Sequence, residues 1–124
     1  MTSDVGKSVA DVLKVLKSAS FQYNSERELQ DGMEDVFKAS GFAYERECDL
    51  GPGDIIDFFM FGCVGVEVKT KGSPNEVLRQ LLRYAKCPKV THLILVTGKA
   101  RLGALPGELL GKPMTVVSLW KAFL

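Results

Sequence analysis

Residue types that many enzyme mechanisms need are scarce in this 124-residue chain. Its single histidine, His92, borders an apolar segment, and its three cysteines show no C-x-x-C spacing. A disulfide framework, a zinc knuckle and Cys–His catalysis are therefore not expected. The glycines do not form a G-x-x-x-x-G-K-[ST] motif, so a P-loop is excluded as well.

Long apolar segments are also missing. The longest apolar stretch, residues 55–61, is interrupted by Asp57 and is too short to span a bilayer. The first residues include Asp4 and lack the apolar core of a secretion signal. Together with the odd number of cysteines, these features predict a cytoplasmic protein that has no membrane segment.

The composition that is present is that of one folded domain. Hydrophobic residues make up 46% and charged residues 25% of the chain, which argues against disorder. The net charge is +1, but acidic residues dominate before residue 58 and basic residues dominate after it. This asymmetry is either chance or the trace of an acidic site beside a basic surface, as a metal-dependent enzyme acting on phosphates requires.

Three segments carry helix signals. Residues 8–19 repeat apolar side chains at helical spacing, and this helix either covers one edge of the core or forms a dimer arm. The second helix begins with the capping box Ser25-Glu26-Arg27-Glu28 and ends at Gly41. The third opens at Ser73 and continues to about Lys86.

Five segments have the β-branched and aromatic composition of strands, namely residues 42–48, 55–61, 64–70, 93–97 and 115–119. Gly62 separates the second segment from the third, so these two are expected to form a hairpin. A strand–helix–strand crossover then joins parallel strands. The element order predicts a mixed α/β sheet with helices packed against it.

The register of the hairpin determines which of its side chains share a face. A turn centred on Gly62 puts three apolar pairs on one face, namely Ile56–Val68, Phe58–Val66 and Met60–Val64. The same register places Asp57 opposite Glu67 on the other face, with Lys69 two residues along. A shift by one residue would place the Asp57 carboxylate among valines, which costs several kcal/mol.

The expected pairing of Asp57 with Glu67 suggests a chemical role. Two adjacent carboxylates repel each other, and each raises the pKa of the other. A fold that keeps such a pair holds a shared proton, a cation or a divalent metal, and dense oxygen ligands suit Mg²⁺ or Mn²⁺. Lys69 could instead neutralise one acid in a purely structural ion pair, so both interpretations stay open on these residues alone.

The run Asp57, then Glu67-Val68-Lys69 across a hairpin, resembles the PD-(D/E)xK nuclease superfamily, which has the restriction-endonuclease-like fold. Ile56-Asp57 stands where many members have Pro-Asp. The spacing Gln80-x-x-x-Tyr84 on the third helix is similar to a further motif of RecB-like and phage exonuclease-like members. Among the superfamily, the chain most resembles small phage and bacterial nucleases of the Holliday-junction-resolvase and VRR-NUC kinds.

The resemblance implies roles for individual residues. Asp57 and Glu67 would bind Mg²⁺ or Mn²⁺, and Lys69 would hold or activate the attacking water. The superfamily also has an acid near the start of its first core helix, here Glu26 or Glu28. On a helical wheel Glu26 lies close to the centre of the apolar stripe, so we assign Glu26 to the metal site and Glu28 to the helix cap.

The third helix contributes further candidates. Gln80 is expected to contact the lysine or a DNA phosphate, and Tyr84, on the same face, belongs either to the site or to the core. A stripe of basic residues follows the same helix, and with Lys71 it could contact phosphates; the stripe is Arg79, Arg83 and Lys86. It could equally be an ordinary solvated helix face. Phosphate contacts would make binding selective for DNA shape rather than for bases.

These observations predict one nuclease domain, residues 1–124, with a restriction-endonuclease-like αβββαβ core and a mixed central sheet. It divides into an N-terminal helical extension (1–24), a catalytic core (25–97) and a C-terminal loop and strand (98–124). The resemblance implies a Mg²⁺- or Mn²⁺-dependent endodeoxyribonuclease that acts on structured or branched DNA as a homodimer, in a bacterial or phage-infected cell. Two alternatives remain: an inactive DNA-binding or assembly module with a nuclease fold, and a nuclease acting on RNA.

Overall fold

The structure, a computed structural model, describes residues 5–119 and shows a mixed α/β fold. Residues 1–4 and 120–124 of the expected domain lie outside the described part. Three α-helices, six strands and a short 3₁₀ helix follow one another along the chain: α1 Val5–Ser18, α2 Glu26–Ala39, β1 Tyr44–Asp49, β2 Ile55–Met60, β3 Val64–Lys69, α3 Pro74–Ala85, β4 His92–Thr97, the 3₁₀ helix Ala100–Ala104, β5 Glu108–Leu109 and β6 Lys112–Ser118.

The strands form one mixed sheet in the order β1-β2-β3-β4-β6-β5. Strands β1, β2 and β3 pair antiparallel, whereas β4 lies parallel to both β3 and β6. The parallel pairing of β3 with β4 across α3 confirms the predicted crossover. Strands β3, β4 and β6 all end at one edge of the sheet, which we call the C-terminal edge. Because β2 is antiparallel to β3, it begins at this same edge.

The element boundaries differ from the predictions mainly near the chain ends. Helix α1 is described from Val5, and β6 begins at Lys112 rather than at residue 115. The two-residue strand β5, which was not predicted, pairs antiparallel with β6 through a turn at Leu110 and Gly111, both at positive φ. A strand of two residues is too short to show the alternation on which sequence patterns depend.

Each face of the sheet carries its own hydrophobic core. Helices α1 and α2 cover one face, on which the rings of Phe37 and Phe58 meet edge to face at 5.1 Å. Helix α3 covers the other face through Val77, Leu81 and Tyr84. The apolar stripe of α1 is part of the first core, because Val12 and Leu16 are fully buried there. The stripe therefore needs no second copy of the chain to cover it.

The helix starts follow the predicted capping chemistry. At α2, the Ser25 hydroxyl oxygen accepts the backbone N–H of Glu28 at 3.1 Å. The Glu28 carboxylate accepts the backbone N–H of Asn24 at 2.6 Å, one residue before the predicted partner. Helix α3 has a complete capping box between Ser73 and Glu76. The first turn of α2 lies at the C-terminal edge of the sheet, where Glu26 Oε1 accepts the backbone N–H of Thr70.

Within residues 5–119, no helix has both the length and the apolar character that a membrane span requires.

Candidate active site

The β2–β3 hairpin has the predicted register, but its ladder ends early. Phe58 pairs with Val66 and Met60 with Val64, which confirms the turn around Gly62. Towards the C-terminal edge the ladder stops at Phe58, and the two strands separate. The candidate site is built where the strands part.

One detail of the predicted hairpin is wrong. Ile56 was expected on the face of Phe58, but it packs in the opposite core beside Phe59, on the α3 side. It lies over Gly65, where a Cβ atom would come within 2.5 Å of the Ile56 side chain. The strict alternation of β2 therefore breaks at Asp57, between the two residues. Opposite this break, Glu47 of β1 adopts a left-handed conformation with φ of 53°.

The carboxylates of Asp57 and Glu67 take the place of the missing backbone hydrogen bonds between β2 and β3. Glu67 Oε1 accepts the backbone N–H of Asp57 at 3.1 Å. In return, Asp57 Oδ2 accepts the backbone N–H of Val68 at 2.7 Å. Each acid thus binds the opposite strand, and the two carboxylates lie side by side. The other oxygens, Asp57 Oδ1 and Glu67 Oε2, accept no backbone hydrogen bond from any residue between 5 and 119.

The environment of the pair disfavours two negative charges. Glu67 is only 2% exposed, and its burial, together with the nearby charge of Asp57, raises its pKa to about 8. Burial also raises the pKa of Asp57, although the Val68 N–H acts in the opposite direction. Near neutral pH, and with protein groups alone around it, the pair therefore retains a shared proton.

Lys69 lies beside the pair without neutralising it. Its Nζ atom is 3.6 Å from Glu67 Oε2, longer than the 2.7–2.9 Å of a charge-assisted hydrogen bond. The charge of Lys69 lowers the pKa of Glu67, but burial and the charge of Asp57 outweigh this effect. The distance of 3.6 Å therefore fits a lysine that lies beside the acids better than a tight Glu–Lys ion pair.

Helix α3 brings a hydroxyl group to the site. Tyr84 Oη lies 2.8 Å from the Ile55 carbonyl oxygen and 3.3 Å from Glu67 Oε2. The amide of Gln80, which is partly exposed, donates to Tyr84 Oη at 2.8 Å. The Tyr84 hydroxyl has a single proton, and the shorter contact indicates that it donates this proton to the Ile55 carbonyl oxygen. A proton on Glu67 could then form the longer hydrogen bond to Tyr84 Oη.

Tyr84 combines the two roles that the sequence left open. Its ring is buried in the core on the α3 side, while its hydroxyl belongs to the site. The signal in the sequence was the four-residue spacing from Gln80, which places both side chains on one helical face. The pattern did not show that the tyrosine, rather than the glutamine, reaches Glu67.

Glu26 and Glu28 separate as predicted, although Glu26 does not join the acid pair directly. Glu26 Oε1 accepts the backbone N–H of Thr70 at 2.9 Å, which ties the first turn of α2 to the end of β3. Its charge is close enough to raise the pKa of Asp57. A cleft of about 400 Å³ opens beside this contact, and its walls are Asn24, Ser25, Glu26, Lys69, Thr70, Lys71 and Gly72.

The expected three-acid metal set is not assembled. Among the residues that the structure describes, no three His, Cys, Asp or Glu side chains converge closely enough to hold a metal ion. Asp57 and Glu67 converge as two, while the carboxylate of Glu26 is held by Thr70. A pair of carboxylates still fits Mg²⁺, which commonly keeps several waters and uses one or two protein carboxylates.

The predicted basic residues are all exposed, but their charges are not equally free. Arg83 Nε lies 3.1 Å from Asp54 Oδ1, so this arginine has a partner within the chain. Lys71, Arg79 and Lys86 make no ion pair with any residue of the described range. The stripe on α3 is therefore part paired and part available to an anion.

The chain matches no protein-family model, and no curated protein or solved structure is significantly similar to it.

The arrangement defines a class of site: a buried Glu67 and a partly buried Asp57 with a surplus proton, and a lysine whose Nζ is 3.6 Å from Glu67 Oε2. Such a site attracts a cation to the acids, and the lysine adds positive charge beside them. Chemically it suits the hydrolysis of a phosphate ester, which needs an activated water and compensation for growing negative charge.

Proposed function

We propose that this protein is a metal-dependent nuclease with a restriction-endonuclease-like fold, which hydrolyses phosphodiester bonds in DNA. The observation that carries the proposal is the reciprocal pair of Asp57 and Glu67, with Lys69 beside it, at the point where β2 and β3 part. The order of elements from α2 to β4 supports the same proposal, since it is the order of the superfamily core.

The acid pair fits Mg²⁺ or Mn²⁺ for a specific reason. Burial and the charge of Asp57 raise the pKa of Glu67 to about 8, so Lys69 compensates the negative charge of the pair only in part. Both ligands are oxygens, which these hard cations prefer. When bound, the metal lowers the pKa of a water and offsets charge on a phosphate oxygen.

The residues of the chain have distinct tasks in this proposal. Asp57 and Glu67 hold the cation, and their backbone contacts fix both carboxylates in place. Tyr84 fixes the position of Glu67 from the side of α3. Lys69 holds the attacking water and places a positive charge where the phosphate gains negative charge. Glu26 accepts the backbone N–H of Thr70 just after β3, and its negative charge lies near the cation.

A cleavage panel tests the proposal. The substrates are linear duplex, single strand, flap, four-way junction and RNA, each with Mg²⁺, Mn²⁺ or a chelator. We expect cleavage of at least one DNA substrate that requires the metal and is lost in both D57N and E67Q. Neither change should unfold the protein, because each removes part of the carboxylate repulsion. D49N, at an exposed position of β1, is the matched control and should cleave like the wild type.

Two results would reject the nuclease assignment. One is a wild-type protein that cleaves none of the substrates with either metal. The other is D57N or E67Q protein that cleaves at the wild-type rate. Cleavage of RNA alone would retain the mechanism and change the substrate.

One observation favours a second candidate, a DNA-binding or assembly module that keeps the fold without cleaving. It is that no third acid joins Asp57 and Glu67 within residues 5–119. This candidate predicts DNA binding in the presence of a chelator together with no cleavage under any condition of the panel. The homodimer and the branched-DNA preference remain part of the proposal and follow only from the superfamily resemblance.

A further inference from the structure

The C-terminal edge of the sheet carries a lysine that the sequence did not single out. Lys69 of β3 and Thr97 of β4 are register partners in adjacent parallel strands. Lys71 and Lys99 each follow two residues later, so both leave the sheet at the same edge. Neighbouring strands lie about 4.8 Å apart. The two lysines therefore lie on adjoining loops, one after β3, which carries Glu67, and one after the next strand, β4.

Two hydrogen bonds and a close packing contact hold the loop that carries Lys99. The hydroxyl oxygen of Thr97, which is fully buried, accepts the backbone N–H of Lys99 at 3.0 Å. The carbonyl oxygen of the same threonine accepts the backbone N–H of Leu119 at 2.8 Å. Gly98 lies against the hydroxyl of Tyr23, and a Cβ atom at this position would collide with it. Lys99 is thus presented by an ordered turn.

Charge distinguishes these two lysines from Arg83 on α3. Neither Lys71 nor Lys99 forms an ion pair within the described chain, whereas Arg83 is bound to Asp54 at 3.1 Å. Lys71 is exposed and Lys99 is partly buried. Two unpaired ammonium groups on one edge create a positive rim beside the buried Glu67 and the partly buried Asp57. An approaching polyanion needs such a rim, because the acids alone would repel it.

We propose that Lys71 and Lys99 contact the phosphate backbone of a nucleic-acid strand that crosses the C-terminal edge from β3 to β4. The proposal takes nucleic acid as the ligand from the proposed function, but it does not require cleavage. It adds Lys99 to the binding surface and defines the path of the nucleic-acid strand across the ends of β3 and β4. Contacts of this kind read phosphates and carry no base specificity.

Fluorescence anisotropy with a labelled 20-base-pair duplex tests the proposal, with a chelator present and the salt concentration varied. We expect K99A and K71A each to weaken binding and to lower the salt slope by about 0.9 for each lost phosphate contact. K99R should retain binding, because it keeps the charge. K38A is the matched control, since Lys38 is exposed and lies about 18 Å along α2 from Glu26.

Each outcome decides the proposal. If K99A binds with the affinity and salt slope of K38A, Lys99 is not a contact and the proposal is wrong, even if the protein cleaves DNA. If the wild type binds neither the duplex nor the matching single strand in low salt, the surface does not bind nucleic acid and the proposal is also wrong. Binding that depends on Lys99, without cleavage by the wild type, would support this inference and reject the nuclease function. Equal melting temperatures of the variants establish that folding is unchanged.

Discussion

Asp57 and Glu67 hold together two strands that have stopped pairing. Glu67 Oε1 accepts the Asp57 backbone N–H, and Asp57 Oδ2 accepts the N–H of Val68, the residue after Glu67. The side chains thereby satisfy backbone groups that a regular ladder would have satisfied. The strands can separate without orphaned N–H groups at these positions, and the separation leaves one oxygen of each carboxylate without a backbone donor.

The stability of the protein should depend on pH through Glu67. Its pKa is about 8 in the folded protein and near 4.5 in an unfolded chain, so the folded state binds the proton more tightly. The stabilisation of the folded state by this bound proton is complete below pH 4.5 and is lost as the pH rises through 8. Relative to E67Q, the wild-type melting temperature should fall by about 10–15 °C between pH 5 and pH 8.

Differential scanning calorimetry of both proteins across this pH range gives the measurement. E67Q cannot ionise at this position, so the comparison cancels the titration of unrelated groups. Parallel pH profiles for the two proteins would contradict the raised pKa of Glu67. Added Mg²⁺ should reduce the wild-type loss at pH 8, because a bound cation compensates the second charge.

Replacing Lys69 should separate turnover from binding. K69A removes an ammonium group that lies 3.6 Å from Glu67 Oε2, and we expect turnover to fall about 100-fold while DNA and Mn²⁺ binding persist. Single-turnover cleavage measures the first effect, and anisotropy and calorimetric titration measure the second. A K69A protein that fails to fold would show that the lysine is a structural partner of the acid.

The hydroxyl of Tyr84 should matter more for activity than for folding. Y84F keeps the buried ring and removes the contacts to Ile55 and Glu67, at a cost of about 1–2 kcal/mol in stability. We expect turnover to fall about tenfold, with a higher Mg²⁺ concentration needed for half-maximal rate, because Glu67 is less well positioned.

Tyr44 provides a matched control for this variant. Its hydroxyl donates to the Glu34 carboxylate at 2.7 Å, on the opposite face of the sheet and away from the acid pair. Y44F should therefore lose a similar amount of stability and keep its Mg²⁺ dependence. If both variants change activity equally, Tyr84 acts only through general stability.

The two arginines on α3 should differ in their effect on DNA binding. Arg79 has no ion-pair partner in the described chain, while Arg83 is held by Asp54. We expect R79A to weaken duplex binding and reduce its salt slope by about one, and R83A to have the smaller effect. Removing the competitor in D54N should increase the contribution of Arg83. Unchanged salt slopes in both arginine variants would identify the stripe as an ordinary solvated face.

Local signals in the sequence were sufficient for much of the fold. The caps at Ser25 and Ser73 and the register around Gly62 involve residues within a few positions of one another or across one turn. Such interactions act over short separations, so the sequence pattern contains them directly. The parallel placement of β4 beside β3 followed from the general rule for crossover connections.

The position of Glu26 could be predicted only in part: the sequence indicated the direction of its side chain but not its hydrogen-bond partner. The helical wheel distinguished it from Glu28, since one lies towards the core and the other towards the cap. Its actual partner, the backbone N–H of Thr70, is far away in the chain, and no periodicity indicates it. A helix wheel gives the direction of a side chain but not the element that it meets.

The sequence by itself determined that two acids and a lysine would share the end of one hairpin, because the turn around Gly62 sets which residues of the two strands lie opposite each other. The tertiary structure decided that Ile56 changes faces, that Tyr84 rather than Gln80 reaches Glu67, and that Asp54 binds Arg83. These outcomes depend on where the strands part and how α3 crosses them. Packing between distant segments sets both, and no local pattern encodes it.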